Sequence, residues 1–225
     1  MLKHPWLELV ISTIALLLFH TSDLSAGQAT RSVRYWMTHA SDVPESPGCV
    51  TLLGAVAANG GELALGFLQL PAKDRDQNGV LGAHDTLMEA LGLYWRGPAH
   101  FSLNDKQSAA QICRHRRVLA VELIAATANA VYLGTSPTNF MQSADVPFPA
   151  DLLERAREAA RGVEPEAMAN YIALLRQFNL AGQTNSFEAG LIECQSEDRK
   201  ALRKLSRNPV TGALCRGALP APAEK

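Results

Sequence analysis

The segment Asp74-Arg75-Asp76-Gln77-Asn78-Gly79-Val80-Leu81-Gly82-Ala83-His84-Asp85 places oxygen donors at the spacing of a twelve-position EF-hand loop. A calcium ion takes six to eight hard oxygen ligands, and this loop type supplies them from positions 1, 3, 5, 7 and 12, with water often serving position 9. Asp74, Asp76 and Asn78 stand at positions 1, 3 and 5, Gly79 permits the sharp turn at position 6, and Val80 offers its carbonyl at position 7. Leu81 is the apolar residue that pins such a loop to a core. Gly82 at position 9 leaves that ligand to water, and Asp85 closes the site where the full motif has glutamate. Three carboxylates and a short closing side chain predict weak binding, with a dissociation constant on the order of 0.1 to 1 mM. Pro71 shortens the incoming helix, and the chain has no second loop, so the pattern is a half-motif similar to dockerin and other single-loop sites. Read only for local conformation, the same residues make an acidic surface turn.

The other chemistry-bearing side chains form weaker constellations. His39 follows Tyr35-Trp36 in a Y-W-x-T-H pattern, either as a pocket group or as a packing and hydrogen-bonding one. Glu122 and Asn129 are seven residues apart in a helical pattern, so they share a face as a hydrogen-bonded core pair or as the acid and amide of an active site. His84, His100 and His115 show no joint ligand spacing. There is no H-E-x-x-H, no G-x-S-x-G, no phosphate-binding glycine loop and no dinucleotide fingerprint.

The elements that must position these groups read as mainly helical. Glu62 to Leu70 suits a short helix ended by Pro71, and Asp85 to Trp95 an amphipathic one. The longest helix is expected from about Lys106 to Leu133, with Ile112, Leu119, Leu123, Ala126, Ala130 and Leu133 on a broad apolar stripe. Further helices are expected over Asp151 to Arg161 and Pro165 to Phe178, the second with Met168, Ile172, Leu175 and Phe178 on one face. Ser196 is placed to cap a last helix through Leu205. Cys49 to Ala58 is ambiguous between helix and strand, Thr30 to Gly48 reads as an irregular docked segment, and Pro137 to Pro149 and Asn179 to Gly190 read as loops. The fold expected is a compact helical domain around one long central helix.

The chain opens with Lys3 and His4, an apolar run from Leu9 to Phe19, and small or polar residues from Ser22 to Ala29, the order of a secretory signal. The run falls short of the roughly 20 residues a membrane-spanning helix needs, so cleavage is expected rather than a permanent anchor or a buried first helix. Cleavage could follow Ala26, Gly27 or Ala29, and residues 1–26 are assigned to the signal, 27–219 to a single helical domain and 220–225 to a disordered tail. No transmembrane segment is then expected after cleavage. A net charge of −1 does not suggest a nucleic-acid partner. Arg114, Arg116 and Arg117, like Arg199, Lys200, Arg203 and Lys204, read as solvated helix faces. Cys49, Cys113, Cys194 and Cys215 all follow the signal, and an even count in an oxidising compartment suggests two disulfides. Of three possible connectivities, Cys49 with Cys113 and Cys194 with Cys215 is favoured, because the latter would staple the C-terminal segment through a short loop.

Three stretches carry a resemblance. Tyr35-Trp36-Met37-Thr38-His39, Leu119-Ala120-Val121-Glu122-Leu123-Ile124-Ala125-Ala126-Thr127-Ala128-Asn129 and Phe178-Asn179-Leu180-Ala181-Gly182 resemble the G-Y-W-K-T-H, L-A-x-x-L-I-A-A-x-L-N and F-N-x-S-G motifs of secreted bacterial helical domains of unknown function. The chain departs from that pattern at Arg34 and Met37 and in its calcium-like loop. What the resemblance implies is an extracellular or surface-associated helical domain, and no enzyme. The function expected is that of an exported calcium-binding domain, secreted, periplasmic or at the cell surface, acting on an extracellular or surface partner as a binding or structural module. The alternative is a small exported hydrolase-like enzyme with a site near His39 and Glu122.

Overall fold

The longest apolar pattern becomes the centre of the molecule. In the computed structural model, which describes residues 29–40, 49–66, 69–71, 108–142, 145–187 and 190–205, the elements run α1 (Val33–Trp36), α2 (Leu52–Ala58), β1 (Glu62–Ala64), β2 (Gln69–Pro71), α3 (Ser108–Tyr132), a 3-10 turn (Pro137–Asn139), α4 (Leu152–Arg161), α5 (Pro165–Ala181) and α6 (Arg199–Leu205). The described residues are 57% helical and 6% strand, so the domain is mainly α. The calcium-like loop, with Asp74, Asp76, Asn78, Val80 and Asp85, and the helix expected from Asp85 to Trp95 lie outside the described residues, as do the N-terminal apolar run and the C-terminal tail.

Helix α3 is packed by α1, α2, α4 and α5. Every residue from Glu122 to Asn129 is buried, so for two turns this helix meets protein on all sides rather than along one stripe. The alanines in that stretch let neighbouring helices approach closely, while Leu119, Leu123 and Ile124 fill the core. Helix α5 buries Met168, Ile172, Leu175 and Phe178, as its spacing predicts, and α4 buries Leu152, Ala156 and Ala160 at the same period. Phe140 and Phe148 meet Phe178 edge-to-face, at ring centroid distances of 6.1 and 6.0 Å, and close one end of the core.

Several expectations need correction. Glu62 to Leu70 is not a helix: β1 and β2 form an antiparallel pair in which Leu63 faces Leu70. Leu63 and Leu65 are fully buried, a two-residue repeat that leads an extended segment to bury alternate side chains. Side chains of α4 hold the ribbon, Arg157 Nε donating to the Ala64 carbonyl at 2.9 Å and Arg161 Nε to that of Gly66 at 3.1 Å. Gly66 has φ of +88°, and a Cβ there would collide with the Arg157 carbonyl, so only glycine fits. The ambiguous segment after Cys49 resolves as α2, capped by Thr51 Oγ1, which accepts from Gly54 N at 3.1 Å. Helix α5 runs three residues beyond Phe178 into the stretch expected as loop, and α6 starts at Arg199 with Asp198, not Ser196, accepting from the Lys200 amide. Arg116 does not lie on a solvated face. It is buried, and its guanidinium donates to the Gly162 and Arg161 carbonyls at the C-terminal end of α4, where a cation meets the negative end of the helix dipole. Burial pushes its pKa down from the usual arginine value.

The favoured cysteine pairing is also overturned: Cys49 bonds Cys194. Short loop length pointed elsewhere, but Cys49 forms a parallel bridge with Ile192, and the Val50 amide donates to the Ile192 carbonyl at 2.8 Å, so backbone pairing brings the two cysteines together. The bond spans 145 positions of sequence, and in the chain-entropy account a closure of that length is worth about 5 kcal/mol. Cys113 is disulfide-bonded as well. Peptide mapping of the unreduced protein is expected to recover a Cys49–Cys194 peptide and, by elimination among four cysteines, a Cys113–Cys215 peptide. A Cys49–Cys113 peptide would contradict this arrangement.

Candidate functional site

The three motifs that stand apart in the sequence converge on one buried polar network. Asn129, on α3, uses every hydrogen-bonding position of its amide. Its Oδ1 accepts from the Arg31 amide at 2.8 Å and from Trp36 Nε1 at 3.3 Å. Its Nδ2 donates to the Arg31 carbonyl at 2.9 Å and to Asn179 Oδ1 at 3.0 Å. Asn179, on α5, in turn donates to the Glu122 carbonyl and to Glu122 Oε2, each at 3.1 Å. Arg176 Nε, one turn before Asn179, completes the set with a bond to Glu122 Oε1 at 3.0 Å. The geometry follows from helical spacing: Glu122 and Asn129 are two turns apart on α3, and the Asn179 side chain fits between them. Glu122, Asn129 and Asn179 are all buried, so an unmade bond here would cost more than its surface counterpart.

His39 belongs to a second cluster. Its ring stacks on Tyr35 with centroids 3.7 Å apart, Nδ1 lies 2.8 Å from the Tyr35 carbonyl, and Nε2 lies 3.1 Å from the Cys194 carbonyl. The Tyr35 hydroxyl donates to the Val50 carbonyl at 3.0 Å. Burial, reinforced by the Glu193 carboxylate, pushes the phenol well above its usual pKa, so it stays a neutral donor. Glu197 adds a third tie, its amide donating to the Thr38 carbonyl and its carboxylate accepting from the Ala40 amide, both at 2.7 Å. The Y-W-x-T-H segment therefore joins two partners: Trp36 reaches the central helix, and Tyr35, Thr38 and His39 hold the segments flanking the disulfide.

Glu122 and His39 contact different sets of neighbours. An open cleft of about 200 Å³ between α1 and α5 has Glu122 in its wall with Val33, Arg34, Arg176 and Leu180, and His39 is not among its lining residues. Arg176 is 57% exposed and fixed at the rim by the carboxylate below it, which is 7% exposed. Both carboxylate oxygens thus face donors. Among the described residues no three His, Cys, Asp or Glu side chains cluster as metal ligands do, and no helix is long and apolar enough to cross a membrane. His115 accepts a role within α3, its Nδ1 lying 2.8 Å from the Gln111 carbonyl. Arg31 is the residue that sequence reasoning missed. It is buried against Phe187, its guanidinium 4.0 Å from the ring centroid, and donates to carbonyls of Thr30, Gln183 and Asn185. Its neighbours Thr30, Ser32 and Arg34 are polar, so no local pattern in the sequence signals this burial. No protein-family model matches the chain, and comparisons with curated proteins and with solved structures find no similar protein.

Asn129→Ala should strand the Arg31 amide and carbonyl, Trp36 Nε1 and the Asn179 amide oxygen, for a loss of about 3–5 kcal/mol in denaturant unfolding. Arg155→Ala, which removes exposed contacts to Asp151 and Tyr171, should change the midpoint little. Equal effects of the two substitutions would mean the network is not structural.

Proposed function

We propose that this chain is an exported helical domain that acts as a binding or surface-structural module, with calcium held by Asp74, Asp76, Asn78, the Val80 carbonyl and Asp85. The observation that carries the module reading is the occupation of His39, Glu122 and Asn129. His39 lies against the Tyr35 and Cys194 carbonyls, both Glu122 carboxylate oxygens accept from α5 side chains, and Asn129 makes four hydrogen bonds. That arrangement favours a rigid scaffold over the rival enzyme, whose two named groups would need to meet. Trp36, Asn129 and Asn179, one from each of the three motifs, meet in one network, which suits a scaffold role. A buried disulfide joining distant segments supports an oxidising compartment. Calcium is supported by the loop pattern, and weak affinity suits surroundings where the ion is abundant.

Calcium should stabilise the fold without switching it. At ten times the dissociation constant, mass action adds about 1.4 kcal/mol, which raises the melting temperature by a few degrees in a domain of this size. Differential scanning calorimetry in millimolar calcium and in chelator measures the increment, and Asp74→Ala with Asp76→Ala should abolish it while helical content stays constant. Identical melting in both buffers would remove calcium from the account.

A further inference from the structure

The residues that follow the apolar leader are built into the core as ordinary peptide groups. Ala29, Thr30 and Arg31 are buried, Thr30 completely. Thr135 Oγ1 donates to the Ala29 carbonyl at 2.6 Å, the Thr30 amide donates to the Gly182 carbonyl at 3.2 Å, and Thr30 Oγ1 accepts from the Gly182 amide at 2.8 Å. The next residue continues the pattern, with both backbone groups of Arg31 bonded to Asn129. The peptide link between Ala29 and Thr30 is therefore used on both sides, its carbonyl by the α3–α4 connection and its amide by the end of α5.

This bears on where the leader is removed. A leader peptidase selects small residues one and three positions before the broken bond. Two frames satisfy that rule here, Ser25-x-Gly27 and Gly27-x-Ala29, whereas Ala26 would pair with the larger Leu24. Cleavage after Ala29 would convert the Thr30 amide into an ammonium at a fully buried position, next to the buried Arg31 guanidinium. It would also remove the carbonyl that Thr135 uses, leaving that hydroxyl a 3.4 Å contact with the Leu133 carbonyl. A buried charge is strongly disfavoured unless it is paired and hydrogen-bonded, and the neighbouring Glu193 carboxylate already lies 3.7 Å from Arg31 Nε. Cleavage after Gly27 leaves the Ala29–Thr30 link intact and puts the new ammonium two residues before it.

Resting on the export reading, we infer that the processing site is the Gly27–Gln28 bond. Water adds its hydroxyl to the Gly27 carbonyl carbon and its proton to the Gln28 nitrogen, so the mature chain begins at Gln28. The peptidase acts on an unfolded chain, so the fold does not shield the bond at Ala29. It sets how stable each product is once folded.

Intact-mass and N-terminal peptide analysis of the full chain, expressed in a Gram-negative host and recovered from the periplasm, tests this. The expected start is Gln28, free or cyclised to pyroglutamate. A start at Gly27 or Thr30 overturns the assignment while leaving export standing, and an intact Met1 overturns both. A second measurement is independent of export: chains released from a cleavable fusion to begin at Gln28 and at Thr30, with disulfides formed, are compared by melting. The chain beginning at Thr30 should melt several degrees lower, and equal melting would overturn the structural ground of the inference.

Discussion

The side chain of Asn129 is the point on which the structure depends. Four hydrogen bonds from one buried amide fix the N-terminal segment, Trp36 and α5 to the central helix. The amide can do this because α3 is enclosed there, which shields its donors and acceptors from bulk solvent. Apolar packing brings helices together without specifying their rotation or offset. A fully satisfied polar group does specify these, since a small slip would leave several buried partners unmet at once. Glu122 and Asn179 extend the same constraint two turns along α3. The carboxylate is tolerated there because Arg176 and Asn179 both donate to it.

A second constraint is covalent and acts on the opposite flank. The Cys49–Cys194 bond, the Val50–Ile192 pairing and His39 hold the C-terminal segment against the start of α2. The Y-W-x-T-H segment lies between the two systems, and its alternating commitments explain why aromatic, hydroxyl and imidazole groups crowd into five residues. Tyr35 and Trp36 are adjacent yet point to different partners, packed edge-to-face at 5.3 Å. The Tyr35 hydroxyl, Trp36 Nε1 and His39 Nε2 each meet a partner on another element, while His39 Nδ1 turns back to the Tyr35 carbonyl.

The helices that carry a 3.6-residue apolar period, α3, α4 and α5, are legible in the sequence because each buries a face long enough to set the pattern. The pairing of Glu122 and Asn129 on one face is legible for the same reason. The ribbon at Glu62–Pro71 is not, since three-residue strands are too short for alternation to outweigh helical propensity, and their hold comes from Arg157 and Arg161 about ninety positions away. The disulfide misleads for a related reason. Loop length favours near neighbours, whereas Cys49 and Cys194 are joined by a backbone bridge that no local pattern announces. Arg116 is misread because three basic residues in four look like a solvated face until the end of α4 is placed above the middle one. The central claim, that a fully satisfied amide locks the N-terminal segment into the core, is tested most directly by native-state hydrogen exchange at the Arg31 amide. The account predicts that this proton exchanges only through global unfolding, with the same protection as the buried amides of α3. Exchange at the rate of a frayed terminus, while α3 remains protected, would contradict it.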